Sequence, residues 1–283
     1  MSNLSKFNST IVNQQWQDYL HSVLREKKNS FVNNIVALVS NDAKLQECNP
    51  SSIIYAAIKS TVLDLPLDPN LGFCYIVPFK NNKENKTEAQ FMCGYKGFKQ
   101  LAIRSGQFKK LHSTDVREGE IVNRNRLTGE MEFNFIQNDT ERMSKKIIGF
   151  VSYFELVNGF SSTLYMSVEE LKAHGLKYSQ TYKSTTKWVS DNSKWNTDFE
   201  AMALKTVTKL NLSKNAPLSV EMQSAIISDQ AVLNEKGQRY IDNEPDAETS
   251  KRVADIFEKA IQDVEVVADE TPETTEKTIF NTN

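Results

Sequence analysis

Lys96, Lys99 and Arg104 sit on one short helical stretch behind a Gly94-Tyr95-Lys96-Gly97 turn. Residues of these types suit the holding of phosphate better than covalent chemistry. Lys96, Gln100 and Arg104 recur at i, i+4 and i+8, with Lys99 beside them. Phe98, Leu101, Ala102 and Ser105 supply a separate core-facing stripe. Glycines in the turn let a backbone come close, and the helix start offers unpaired N–H groups to an anion. An ordinary surface helix with solvated lysines has the same pattern, and a lone glycine motif does not separate the two.

Other chemistry is sparse. No Gly-x-x-x-x-Gly-Lys-Ser/Thr occurs, which argues against a P-loop nucleotide site. His21, His112 and His174 lie in unrelated segments with no zinc spacing. Asp64 and Asp68 flank a proline turn and read first as turn formers. Glu118 and Glu120 have Arg117 as a ready salt-bridge partner. A metal-dependent nuclease built on these four acids ranks below any binding function. Cys48, Cys74 and Cys93 form no Cys-x-x-Cys pair and read as small buried hydrophobes in a reducing compartment.

Composition sets the class. Hydrophobic residues are 39% and charged residues 25% of 283, which fits a soluble globular protein. No apolar run approaches the roughly 18 residues of a membrane span, and Met1 to Gln15 carries no apolar signal core. An intracellular protein is expected. The net charge of −2 hides an asymmetry: residues 229–283 hold 14 acids and 6 bases, leaving 22 acids and 28 bases in residues 1–228. A basic body with an acidic tail suits a nucleic-acid partner.

The elements around the basic stretch follow from local signals. Residues 11–40 read as two helices joined by a polar link at Arg25–Asn29, packed on their own core or on a neighbouring subunit. Asn49 and Pro50 open a further helix that ends at Leu65-Pro66-Leu67-Asp68-Pro69-Asn70. Strands are expected over Gly72–Phe79, with Pro78 at an edge, and over Ala89–Cys93. A third runs over Phe108–Val116. Thr128-Gly129 and Asn158-Gly159 mark hairpins, and Glu130 or Glu132 could answer the arginines of the first. Ser167–Glu170 and Thr197–Glu200 read as capping boxes, the first opening a helix that ends at Gly175. Lys177 to Trp195 is a long basic and aromatic loop, suited to stacking and phosphate contacts or pinned to the core by its tryptophans. Residues 1–228 are expected to form one domain with a helical segment over 1–48. Residues 229–283 read as a mostly disordered acidic tail with a helical island at Val253, Ile256, Phe257, Ala260 and Ile261.

Several blocks together resemble the RecT family of phage recombinases. They are Leu63-Asp64-Leu65-Pro66-Leu67-Asp68-Pro69-Asn70-Leu71-Gly72, then Ile76-Val77-Pro78-Phe79, then Gly94-Tyr95-Lys96-Gly97 through Ser105-Gly106. Asp115-Val116-Arg117-Glu118-Gly119-Glu120 and Trp195…Asp198-Phe199-Glu200-Ala201-Met202-Ala203…Lys205-Thr206 continue the likeness, in order, over roughly residues 30–228. The resemblance implies an α+β fold with a bent antiparallel sheet packed on helices, similar to the Rad-type annealing core. It implies ATP-independent annealing of single-stranded DNA, through an annealed duplex intermediate, by a homo-oligomer or filament in the bacterial cytoplasm. It also implies a partner exonuclease and no covalent catalysis. No cofactor is expected; magnesium is compatible but required by no motif.

Such a protein must neutralise phosphates and leave base edges free, which calls for a basic groove. Gly94 and Gly97 are expected to admit the backbone, and Lys96, Lys99 and Arg104 to line one wall. Lys205 and Lys209 would line the other. Arg117, Arg124 and Arg126 would reach a second strand or a neighbour's DNA. Tyr95 and Trp195 would stack on bases, with core packing the alternative for both and the favoured reading for Trp195. The tail would contact a host single-strand-binding protein. A passive binding module with a KH-like Gly-x-x-Gly clamp is the runner-up.

Overall fold

A computed structural model describes residues 3–81, 85–234 and 237–239. The amino-terminal third is helical: α1 (Asn3–Ile11), α2 (Gln14–Leu24), α3 (Lys28–Ser40), α4 (Ala43–Gln46) and α5 (Pro50–Val62). A single 3-10 turn, Arg25–Lys27, fills the polar link between α2 and α3. Phe7, Ile11, Leu20, Phe31, Ile35 and Val39 are buried in the same core as Ile53, Ile54 and Ala57 of α5. These helices therefore pack on their own domain. Asn49 caps α5 by accepting from the Ser51 N–H at 3.0 Å, with Pro50 at the first helical position.

Helix α5 lies on an antiparallel hairpin of β1 (Cys74–Asn81) and β2 (Lys86–Cys93). Ser52 Oγ accepts from the Ala89 N–H at 2.8 Å and ties the two layers. β1 is the sheet edge, where Pro78 costs no ladder bond. Cys74 and Cys93 sit directly opposite in register, and both are free thiols. After β2 comes α6 (Tyr95–Arg104), which buries Phe98, Leu101 and Ala102 as its periodicity requires.

A second sheet, in the order β3-β6-β7, is made by β3 (Phe108–Arg117), followed later by β6 (Ile147–Leu156) and β7 (Ser161–Ser167). Between β3 and β6 runs an arm of β4 (Ile121–Arg124) and β5 (Met131–Phe133), closed by α7 (Asp139–Ser144). The Asn158-Gly159 turn joins β6 to β7, with Gly159 at φ +88°. After β7 come α8 (Val168–Tyr178), α9 (Lys187–Asp191), α10 (Lys194–Thr197), α11 (Phe199–Asn215) and α12 (Val220–Ser228). Helix α11 lies along one face of this sheet. Its Thr208 hydroxyl is 2.8 Å from Ser113 Oγ, and Asn211 Nδ2 donates to the Ser152 carbonyl at 2.9 Å. Seven of the 17 residues of α11 are buried, and α6 also packs against it.

The protein is thus α+β, as the resemblance implies, and among the described residues its antiparallel strands lie in three small sheets packed with helices. Three local expectations need correction. The Ser167–Glu170 capping box forms, but Asp198 caps α11 without a side-chain bond. Helix α8 runs past Gly175, which is buried inside it because the Trp195 indole lies where a Cβ would stand. Composition sets the tail boundary at 229, yet Asp229 is buried and β8 (Ala231–Asn234) pairs with β2 and with β9 (Gly237–Arg239). The rest of the acidic stretch, with its apolar island at Val253 to Ile261, lies outside the described residues. Among those described, no helix is long and apolar enough to cross a membrane.

Candidate nucleic-acid interface

The glycine turn is built for the protein's own backbone. Gly94 donates to the Phe73 carbonyl at 2.8 Å, and a Cβ on it would collide with the Gly72 carbonyl. A Cβ on Gly97 would collide with the Phe73 carbonyl and the Cys93 sulfur. Both glycines therefore serve the close approach of α6 to the 72–73 segment, and neither opens a path for a DNA backbone. Tyr95 is half-buried beside Tyr75, whose hydroxyl is pushed up by burial and then by the nearby Asp198.

The cations of α6 part company. Lys96 is exposed, its stem lying over Gly72, and Lys99 is half-buried. Neither forms an ion pair with a described carboxylate. Arg104, at the other end, donates to the carbonyls of Leu63 and Asp64 at 2.9 and 2.6 Å. It satisfies the end of α5 and so serves as a structural clamp, with its side chain 36% exposed.

Lys205 and Lys209 are also withdrawn. Both reach the buried Asp229 carboxylate, at 2.9 and 2.7 Å, and the Lys205 side chain is only 8% exposed. The Cys93 N–H donates to the same carboxylate at 3.0 Å. Burial alone would raise the Asp229 pKa; the two ammonium groups outweigh it and hold the carboxyl below its usual range. This lock joins α11, the end of β2 and the segment leading into β8. Both lysines of the expected facing wall are thus engaged with Asp229, Lys205 buried and Lys209 partly exposed.

Arg117 is likewise spent. Its guanidinium meets Asp115 at 2.8 Å and donates to the carbonyls of Arg142, Met143 and Lys145, closing the end of α7. Arg142 bridges Asp115 and the fully buried Glu120 at 3.2 and 2.6 Å. Glu120 also accepts the N–H groups of Arg117 and Ile136. Burial would raise the Asp115 carboxyl, but Arg117 and Arg142 hold it low. These acids anchor the arm, and their oxygens are committed to guanidinium and amide donors. Among the described residues, no group of three or more His, Cys, Asp or Glu could hold a metal ion.

On the arm, Arg124 and Arg126 are exposed. Arg124 pairs across the ladder with Met131 and lies 5.8 Å over the Tyr165 ring. No described carboxylate pairs with either arginine, Glu130 and Glu132 included. Between them and the strand turn sits Leu127, 94% exposed. The arm covers the sheet face opposite α11, and Arg124 stands on that face over Tyr165.

Of the two tryptophans in the 177–195 segment, one is buried and one is exposed. Trp195 is 5% exposed, packed on Gly175, stacked with Tyr182 at 5.9 Å and edge-on to Phe199 at 6.0 Å. It is core. Trp188, on α9, is 69% exposed and flanked by exposed Lys183, Lys187 and Lys194. An exposed ring on a segment with three exposed lysines has the chemistry to stack on a base and meet phosphates. The basic-aromatic character of residues 177–195 signals such chemistry; which ring faces outward is not written in the spacing.

Residues 29–274 match the RecT family. The chain is 38% identical over 230 residues to the uncharacterized protein YqaK of Bacillus subtilis (strain 168), covering 79% of this chain and 74% of that protein. It is 29% identical over 194 residues to protein RecT of Escherichia coli (strain K12), covering 66% of this chain and 65% of that one.

Proposed function

The chain belongs to the RecT family, and from that premise we propose that it binds single-stranded DNA and anneals it to a complementary strand during homologous recombination, without nucleotide hydrolysis. The family match over residues 29–274 carries the proposal. The geometry supplies a physical route. Two DNA strands repel through their phosphates, so pairing is accelerated by a surface that screens backbone charge and leaves the base edges free. Lys96 and Lys99 on α6 offer such a screen, and the exposed Trp188 with the exposed lysines of its segment offers stacking and further cations. Arg124 and Arg126 on the arm offer a second, which meets the incoming strand or the DNA of an adjacent subunit.

The protein works as a homo-oligomer or filament, because side-by-side copies multiply weak phosphate contacts along a strand. It acts in the bacterial cytoplasm beside an exonuclease that supplies single strands, and its acidic carboxy-terminal residues contact a host single-strand-binding protein. No cofactor is part of this scheme, and magnesium would act only as a counterion. A KH-like clamp draws no support, since the Gly72 and Phe73 carbonyls fill the space beside the two glycines of the turn. The test mixes donor- and acceptor-labelled complementary oligonucleotides without nucleotide. An annealer raises the pairing rate; a passive binder lowers it, and that outcome would reject the proposal.

A further inference from the structure

One face of the three-stranded sheet is filled by α11. The opposite face carries a cavity of about 290 Å³ beneath the arm. The register explains its lining. His112, Tyr153 and Thr163 form one row straight across β3, β6 and β7; Thr114, Val151 and Tyr165 form the next. Strand alternation sends both rows to the same side. The roof comes from the arm: Met131, Phe133 and Phe135, the two phenylalanines stacked at 5.5 Å and 15°. Apolar side chains of the arm thus roof a half-open space, and polar side chains of the sheet line it. The imidazole of His112 and the hydroxyls of Tyr153 and Thr163 make no hydrogen bond to another described residue. The volume lies just below the roughly 300–1,000 Å³ range of small-molecule sites.

We propose that this cavity takes one nucleobase turned out of the bound single strand. Stacked aromatics and a slot for a planar ring fit a base, which presents donors and acceptors on its edge. Charge complementarity points the same way. Arg124 at the Tyr165 end stands where the flanking phosphates would pass, and Lys110 lies at the other end beside Glu155. A free strand loses little by turning out a base, since no pairing is broken. The inference rests on the single-strand-binding function proposed above, and adds that one base at intervals is held apart from the row kept ready for pairing.

The test titrates the full chain with a natural single strand and with an abasic strand of equal length. Thr163→Phe fills the cavity; His112→Ala removes a polar contact at an exposed position. Thr163→Phe should weaken binding of the natural strand about fivefold or more, and His112→Ala should weaken it less. Both should hold the abasic strand as the wild type does. Unchanged affinity of both variants for the natural strand, or equal losses on both strands, overturns the pocket. If Thr163→Phe melts early, His112→Ala decides alone. A wild type that binds neither strand removes the single-strand function and the pocket together; a wild type that binds with an insensitive cavity removes only the pocket.

Discussion

Trp188 and Trp195 lie seven residues apart and face opposite ways: the first is 69% exposed, the second 5%. The difference separates a DNA-contact role from a core role. Trp188→Ala should weaken single-strand binding about five- to a hundredfold, the range for loss of one stacked base, with an unchanged melting temperature. Trp195→Ala should cost about 3–5 kcal/mol of stability, because it empties the cluster around Phe150, Leu171 and Val207. Oligonucleotide titration and thermal melting of the two variants check the division.

Asp229 should prove a stability residue. Asp229→Ala leaves two ammonium groups without their carboxylate, one of them buried, and should cost about 3–5 kcal/mol in denaturant unfolding. The folded carboxyl titrates below its unfolded value of about 3.9, so the contribution is fully present above that pH and is lost as pH falls through the lower, folded value. Acid unfolding of wild type should therefore steepen below about pH 4.

His174 gives a pH dependence in a milder range. Burial first, then Lys209, Lys177 and Lys214, lowers its pKa to about 4. The unfolded imidazole takes its proton near pH 6.5 and the folded one does not until about 4. Stability is thus complete above pH 6.5 and falls toward pH 4, at up to about 1.4 kcal/mol per pH unit from this group. Urea midpoints between pH 4 and 8 should show the slope, and His174→Gln should flatten it.

Gly94→Ala and Gly97→Ala should unfold the protein partly and not merely weaken DNA binding. Each Cβ meets the 72–73 backbone, which cannot move aside as a side-chain tip does. A cost of about 1–3 kcal/mol or more is expected. Melting temperatures check this; normal stability with selective loss of binding would restore the turn as a DNA contact.

What was legible in the sequence was local. The Asn49-Pro50 start, the Asn158-Gly159 turn and the Ser167–Glu170 box act within a few residues, and each forms as its residue types require. The apolar stripe of α6 is also as spaced. The basic residues misled because a lysine's sequence neighbours do not reveal its partner. Lys205 finds Asp229 24 residues on, and Arg142 finds Glu120 22 residues back. Such pairings depend on how sheets and helices stack, so five of the expected contact residues (Arg104, Arg117, Trp195, Lys205 and Lys209) proved to hold the fold together.

Lys96 carries the most direct test: the salt dependence of its contribution to single-strand affinity. Binding of one oligonucleotide by wild type and Lys96→Ala is measured over a salt series. A phosphate contact predicts weaker binding by Lys96→Ala and a log–log slope shallower by about 0.7 to 1. Equal affinity and equal slope for the two proteins would contradict an exposed cationic screen at the start of α6.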